Sequence, residues 1–536
     1  MQMWNQKRLT GLAHLWGIIC MISFLGLSMA TPHRTCWGHD DLTDDQRSAL
    51  MEAWGLSAAD FETMLRIIDE GKHRNQTLVH LTYLCEQIGP RLTASSRAER
   101  ANRWVAQQFE SWGLQNVHLH EWGTFPVRFD RGPSSGKMVE PEERTLTFTA
   151  PSWSAGTEGP LRGPVLREPK TEEELEVMAD QLEGAWILRQ LGGERSPFTE
   201  RMRNAGIAGV ITASRDELVR TGGIPGIRQL DAERLPRDVS VIVTRSDYDA
   251  INSRLADEQG VVVEFDLRHE FVAGPIPCYN TVGEIVGTEL PDEVVIISAH
   301  LDSWDGPGSQ GTVDNGTGSS VTIEAARILA AVGVKPKRTI RFILWTGEEQ
   351  GLLGSRGYVD GLSEEERAKI SAVFVDDSGT NQQSSLTCIE SMAPMLNAAV
   401  EPMNWAFPEM TAIEVSVQER MSRAGASDHA SFNAVGIPGF FWGKTGRANY
   451  RYAWHTQNDR LDQAVPEYLT KNSTVSAIVA FSLAQADTLL PRQQPLAEGE
   501  EEPQPPRRRR GGGGGGRGGD GGDGNRGGDI GRVSGE

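Results

Sequence analysis

Apolar positions along the chain fall into three textures. Over 41–88 they recur at helical spacing, as in Phe61, Met64, Leu65, Ile67 and Ile68, with acidic residues near the predicted helix starts. That stretch runs into Ile88-Gly89-Pro90-Arg91-Leu92 and a further predicted helix over 95–112. Over 151–269 the pattern changes to short apolar runs at 185–188, 209–212, 239–243 and 260–265, punctuated by Gly and Pro and alternating with helical stretches at 201–208 and 247–255. This predicts an inserted or apical domain rather than part of the main sheet. From Tyr279 onward, buried-type strands at 294–299, 339–346, 371–375 and 437–442 alternate with helices at 317–332 and 465–490. Such alternation predicts an α/β fold, a sheet covered by helices.

The two ends read differently. Lys7 and Arg8 precede an apolar run over 15–27 that closes on Ser28-Met29-Ala30, the order of a secretory signal cleaved after Ala30. The run is shorter than the roughly 20 residues of a membrane span, so no stable anchor is expected and the mature chain is secreted or periplasmic. Beyond Leu490 the chain turns to Pro, Arg and Gly, and more than half of residues 511–536 are Gly, too little apolar surface to offset the entropy of ordering. The expected organisation is a signal peptide over 1–30, helical N-terminal material and the first part of the catalytic domain over 31–150, an insertion over 151–269, the rest of the catalytic domain over 270–490, and a disordered tail over 491–536.

Charge narrows the partners. With 53 basic against 73 acidic residues the net charge is −20, which argues against nucleic acid or an anionic membrane. Arg510, Arg517 and Arg526 are each followed by two glycines, the composition of an RNA-binding tail, but the tail carries as many acidic as basic side chains and reads as a solvated linker. Once the leader is lost, Cys36, Cys85, Cys278 and Cys388 remain, four thiols that allow three pairings and are too widely spaced for a compact cysteine zinc site. Asn75-Gln-Thr77 and Asn472-Ser-Thr474 fit glycosylation acceptors. Nothing in the sequence indicates an oligomeric state.

The chemistry collects where the predicted strands end, the place where open α/β sheets carry their sites. The first strand ends in His300-Leu-Asp302, with Asp314 following just before a helix. The next ends in Gly347-Glu348-Glu349-Gln-Gly351, the third in Asp376-Asp377-Ser-Gly379, and Trp454-His455 follows an aromatic loop. Each motif alone has an ordinary structural explanation, but together two His and three carboxylates form a nitrogen and oxygen ligand set suited to two Zn²⁺ ions. In the Glu348-Glu349 pair, one carboxylate can bind metal while the other stays free as a base.

This set resembles the di-zinc exopeptidase family that includes the bacterial leucyl-type aminopeptidases and plasma glutamate carboxypeptidase. The likeness is closer to the carboxypeptidase Q-like subgroup, through His300-Leu-Asp-Ser-Trp-Asp305, Leu344-Trp-Thr-Gly-Glu-Glu-Gln-Gly351 and Asp377-Ser-Gly-Thr380. The resemblance implies a mixed, mostly parallel sheet sandwiched by helices, with the insertion as a protease-associated-type α+β domain. It implies that Asp314 is shared by both metals, that His300 and Asp377 complete one zinc and Glu349 and His455 the other, with Asp376 the competitor to Asp377. Glu348 becomes the general base and Asp302 the acid that orients His300. Trp304, Asp305, Asp428, His429, Tyr450, Tyr452 and Trp454 are candidates to line a pocket for short peptides. The connection from His300 to Asp314 looks about two residues longer than in that subgroup, and Trp454 stands where many aminopeptidases carry Tyr. Aminopeptidase, dipeptidase and carboxypeptidase action all stay open, as does a secreted binding protein on an inactive copy of the fold.

Overall fold

A computed structural model of the chain describes residues 42–191, 196–230 and 232–493. The expected signal segment, Cys36 and the Gly-rich tail lie outside these residues. No helix among the described residues is long and apolar enough to cross a membrane.

The helices follow local rules. Helix α1 (Ala58–His73) starts at Ser57, whose side chain accepts from the Asp60 amide, and it buries the face made by Phe61, Met64, Leu65, Ile67 and Ile68. Helix α2 (Ser96–Ser111) is capped in the same way by Ser95. Helices α3 (Thr317–Val332) and α4 (Pro466–Gln485) are buried on nearly every face, and α4 begins with Pro at its first turn, where no amide partner is needed. The predicted helix over 465–490 stops at Gln485, because Arg338 takes the carbonyls of Ala486 and Asp487 and draws the chain out of the helix.

Ten strands make up most of the large sheet. Strand β1 (Gln115–Glu140) is followed by β2 (Leu161–Arg167), β3 (Trp186–Leu188), β4 (Gly209–Ala213) and β5 (Ser240–Val243), then β6 (Val262–Ile285), β7 (Leu290–His300), β8 (Arg338–Trp345), β9 (Ile370–Val375) and β10 (Gly439–Phe441). The hydrogen-bonded order is β10-β9-β7-β8-β6-β2-β3-β4-β5, with Phe148–Thr149 at the far edge. Neighbours from β10 to β8 run parallel, as do β2 to β5, and β6 is antiparallel to both β8 and β2. The sheet is therefore mixed and mostly parallel, with helices packed on its faces.

Alternation along β7 sets the layers. Val295, Ile297 and Ala299 join the core against α1, α3 and α4, while Val294 and Ile296 point to the opposite face with Trp345, Val373 and Phe432. The segment 141–261 packs a core around Trp186, Ile211, Val241 and Tyr248, closed by Phe265 of β6. Its strands were expected to stand apart from the main sheet, yet the hydrogen-bonded path continues into them through β6. That strand pairs with β1 along its whole length, from Gln115 opposite Glu284 to Glu140 opposite Val262, with bulges that let the ribbon twist.

Two expectations are corrected by burial. Asn472 lies inside α4, where its side chain accepts from the Gln383 amide and donates to the Asn381 carbonyl, so it presents no acceptor to a glycosylating enzyme. Cys85, Cys278 and Cys388 are each free and buried, so no disulfide joins any two of them.

Candidate active site

The parallel strands deliver the predicted residues to one edge. His300 is the last residue of β7, Glu348 and Glu349 lie on the turn after β8, and Asp376 and Asp377 follow β9. Asp314 sits in the short turn before α3, and His455 follows the Tyr450–Ala453 helical turn. His300 Nε2 lies 3.1 Å from Asp377 Oδ1 and 3.4 Å from Asp314 Oδ1. On the other side of Asp314, His455 Nε2 lies 3.0 Å from its Oδ2 and 3.1 Å from Glu349 Oε2. Asp314 thus stands between two pairs, and ligand atoms of His300, Asp314 and Glu349 all fall within 4.8 Å of one another.

Asp376 faces away from this cluster. Its carboxylate pairs with Lys444, both side chains buried, and accepts from Gln383 Nε2 at 2.7 Å. Asp302 reaches His300 chiefly through its backbone carbonyl, 3.0 Å from Nδ1, with its carboxylate at 3.6 Å. That carboxylate accepts from Thr93 Oγ1 at 2.7 Å and lies 3.4 Å from the amides of both Glu348 and Glu349, tying the base-bearing turn to the His300 loop.

Electrostatics at the site favour positive charge. Burial pushes Glu348 well above the ordinary carboxylate range, with Asp377, Asp428 and Glu349 adding to the effect and His300 opposing it. Burial and Asp314 push Glu349 up to about 7. Burial acts to lower both histidines, yet Glu349 and Asp314 hold His455 up at about 10, and Asp377 and Glu348 hold His300 well above its usual value. Protonated histidines thereby neutralise part of the carboxylate charge. Glu349 Oε1 is buried and makes no hydrogen bond, a lone pair that the protein itself leaves unused, while Asp314 Oδ2 faces only the His455 ring nitrogen at 3.0 Å among the described residues. Nitrogen and oxygen donors with unspent lone pairs in an anionic pocket fit divalent zinc.

The pocket candidates divide. Asp305 is a tie rather than a lining residue, since its buried carboxylate accepts from Arg131 Nη2 at 3.1 Å and from Ser152 Oγ. Trp304 packs edge-on between Trp153 and His455. Tyr452 and Trp454 are exposed, and the Trp454 ring stacks on His455 at 4.1 Å. Burial, then Asp314 and Asp377, hold the Tyr450 hydroxyl well above its usual value, which places that phenol beside the carboxylates. Asp428 is fully buried with both oxygens unpartnered, and burial, reinforced by Asp302 and Asp377 against His300, raises it to about 7. His429 is half-buried beside Phe441, and burial lowers it to about 4.

Two residues without an assigned role in the sequence turn out to organise the site. Asp459 is buried and accepts from the amides of Val313 and Asp314. Arg91, fully buried, donates from Nε to the Leu301 carbonyl at 2.7 Å, from Nη2 to Gly311 at 2.6 Å, and from Nη1 to Gly89 and Gln310 at 3.1 and 3.3 Å. It grips both ends of the connection from His300 to Asp314. Its signal was the Ile88-Gly-Pro-Arg-Leu92 run, an arginine in an apolar, turn-forming context.

Comparison with known proteins gives a consistent placement. The model of peptidase family M28 matches residues 280–480, which contain all the residues above from His300 to His455. Carboxypeptidase Q of Mus musculus is 30% identical over 443 residues, covering 79% of this chain and 88% of that protein. Aminopeptidase YwaD of Bacillus subtilis is 33% identical over 199 residues, covering 35% of this chain and 42% of that one. The solved structure of a peptidase M28 precursor from Shewanella amazonensis shares the fold, with a TM-score of 0.58 at 24% identity, covering 82% of this chain and 99% of that one. The family match and the similarity spanning 88% of carboxypeptidase Q agree with the fold, and the chain belongs to peptidase family M28.

Proposed function

We propose that the protein is an exported exopeptidase that hydrolyses short peptides with two zinc ions, held by His300, Asp314, Asp377, Glu349 and His455. The observation that carries this reading is the carboxylate of Asp314 standing between two His–carboxylate pairs, with one oxygen toward each His ring and the Oε1 of Glu349 free of hydrogen bonds. Zinc bound there supplies Lewis acidity, lowering the pKa of a water molecule and polarising the scissile carbonyl. Glu348 holds the proton taken from that water and passes it to the leaving amine, and burial suits it to this task by raising its affinity for a proton. Asp302 keeps the His300 ring and the Glu348-Glu349 turn in register. The leader read at 1–30 makes the enzyme secreted or periplasmic, and 151–269 forms a protease-associated-type layer beside the site.

The test combines metal content with hydrolysis of a panel of dipeptides, aminoacyl amides and carboxyl-terminal peptide substrates, for the unmutated protein and Glu348→Gln. About two zinc ions per chain in both proteins, with activity lost only in the variant by about 10²–10⁴-fold, supports the reading and assigns the base. Absence of zinc, or equal activity in both, refutes it and leaves a secreted binding protein. The panel separates amino-terminal, dipeptide and carboxyl-terminal cleavage.

A further inference from the structure

His455 occupies a backbone conformation that its residue type disfavours. Its φ is +52°, in the left-handed region, which for a side chain other than Gly costs about 1 kcal/mol and persists only where the surroundings impose it. Part of the restraint is local: Thr456 turns its hydroxyl back onto the carbonyls of Tyr452 and Ala453 at 2.7 and 3.0 Å. The remainder comes from the segment inserted between β1 and β6. The Thr221 amide donates to the His455 carbonyl at 2.9 Å, and Arg220 and Thr456 form an antiparallel bridge. The Gln457 amide donates to the Val219 carbonyl at 3.1 Å, and the Gln457 side chain answers by accepting from the Val219 amide at 2.8 Å and donating to the Glu217 carbonyl at 3.2 Å.

The inserted loop is itself wedged. A Cβ on Gly223 would stand 2.5 Å from the Trp153 ring and 3.0 Å from that of Trp304, so only Gly allows this approach. Trp304 in turn meets His455 edge-on at 6.3 Å between ring centres. Among the described residues, 217–223 make packing contacts with the His300 to Asp314 connection, at Trp304 and Gly306, but no hydrogen bond to it. Arg91 holds the His300 to Asp314 connection, and the side-chain amide of Asn315 fixes the chain at Asp376 through its carbonyl.

We propose that residues 217–223 of the insertion position His455, so that binding of the metal shared by Glu349 and His455 depends on the docked insertion while the metal at His300 and Asp377 does not. The inference rests on the di-zinc reading. Thr221 and Gln457 are the positioning residues, acting on the imidazole through the backbone that carries it. The insertion is thereby part of the metal centre, and a substrate or partner that displaced residues 217–223 would loosen one zinc alone.

The experiment uses the full chain stripped of metal and titrated with zinc in competition with a chromophoric chelator, comparing the unmutated protein, Thr221→Pro, Gln457→Ala and, as a surface control within the insertion, Asp249→Asn. Thr221→Pro deletes the donor to His455, and Gln457→Ala deletes two bonds without touching the backbone. The expected result is two binding steps in the unmutated protein and the control, with one step weakened about 10–100-fold in both loop variants and the other step unchanged. Equal weakening of both steps, or of neither, overturns the proposal. A second readout does not need zinc: in metal-free protein, diethyl pyrocarbonate labelling mapped by mass spectrometry should modify His455, whose side chain is 25% exposed, faster in the two loop variants, with His300 unchanged. If the unmutated protein takes up no zinc, the di-zinc reading falls, and unaltered labelling of His455 would then overturn the positioning role separately.

Discussion

Replacing Arg91 with Met tests whether the spacing of the metal-facing residues depends on one buried cation. The substitution keeps most of the volume and removes every donor. The carbonyl of Leu301, which accepts at 2.7 Å, is then left buried without a partner, at about 1–3 kcal/mol, while that of Gly311 loses its 2.6 Å bond and keeps the Gly316 amide at 3.1 Å. Part of that loss is returned because the guanidinium is no longer held away from water, a cost visible in the burial that lowers the Arg91 pKa. The net expectation is destabilisation by about 2 kcal/mol. Arg91→Lys should fall between, since an ammonium group retains the charge but cannot span both carbonyls as a planar fork does. The assay is urea unfolding with and without zinc, because a ligand that binds the folded state adds RT ln(1 + [L]/Kd) to stability. If Arg91 sets the distance from His300 to Asp314, the increment added by zinc shrinks in the Met variant along with the baseline. A baseline loss below about 1 kcal/mol, or a full loss with the zinc increment intact, would refute the argument and reduce Arg91 to an ordinary prop.

Other predictions are independent of this one. Lys444→Met strands the buried Asp376 carboxylate and should cost about 3–5 kcal/mol, whereas Asp376→Leu combined with Lys444→Met should recover most of it; a double-mutant cycle by chemical unfolding decides, and additive losses would contradict the pairing. His269 is lowered to about 4 by burial and by Arg131, which lies 3.1 Å from its ring nitrogen, so the folded state resists a proton that the unfolded chain takes up near 6.5. Its contribution is present above pH 6.5 and is lost as pH falls towards 4, by about 3 kcal/mol in all; His269→Gln should flatten that part of the stability profile, and an unchanged slope would show the histidine to be idle. Gly318→Ala places a Cβ 2.0 Å from the Asp376 carbonyl and should destabilise by about 1–3 kcal/mol while weakening zinc binding through Asn315 and Asp314; wild-type melting and wild-type zinc affinity together would count against that packing.

What the sequence disclosed depended on whether the signal was local. The strands at 294–299, 339–346 and 371–375 are continuous apolar runs of the kind that only a sheet covered on both faces needs, and the acids and His that interrupt them mark the strand ends. By contrast, β1 was invisible. Its run from Gln115 to Glu140 contains Pro126, Pro133, Gly123 and Gly132 among mixed polar residues, which reads as loop. The bulges at Phe125/Val127 and Arg131/Ser134 absorb those residues, a solution that requires the partner strand and so cannot be read from β1 alone. Asn472 was misread as an acceptor for the same reason, because burial on every side of α4 is a tertiary property. At the site, residue types and spacing indicated candidate ligands, while Arg91 showed only as an arginine in an apolar, turn-forming run and Asp459 was hidden because a polar residue in sequence carries no sign that it will be buried. The Lys444 partner of Asp376 was equally out of view, 68 residues away along the chain.

The ribbon of β1 and β6 has a consequence for how the molecule comes apart. Strand β6 contributes Val263, Phe265 and Leu267 to the core of the inserted layer, Ile276 and Cys278 to the cluster around Trp153, and Val282 to the core beneath the strand-end residues. A strand shared by three cores cannot be peeled from one without loosening its neighbours. Although the insertion has an interior of its own, it has no separate melting event available to it. Heat or denaturant should find a single cooperative unit, and mutations distributed over all three cores should register in the same transition.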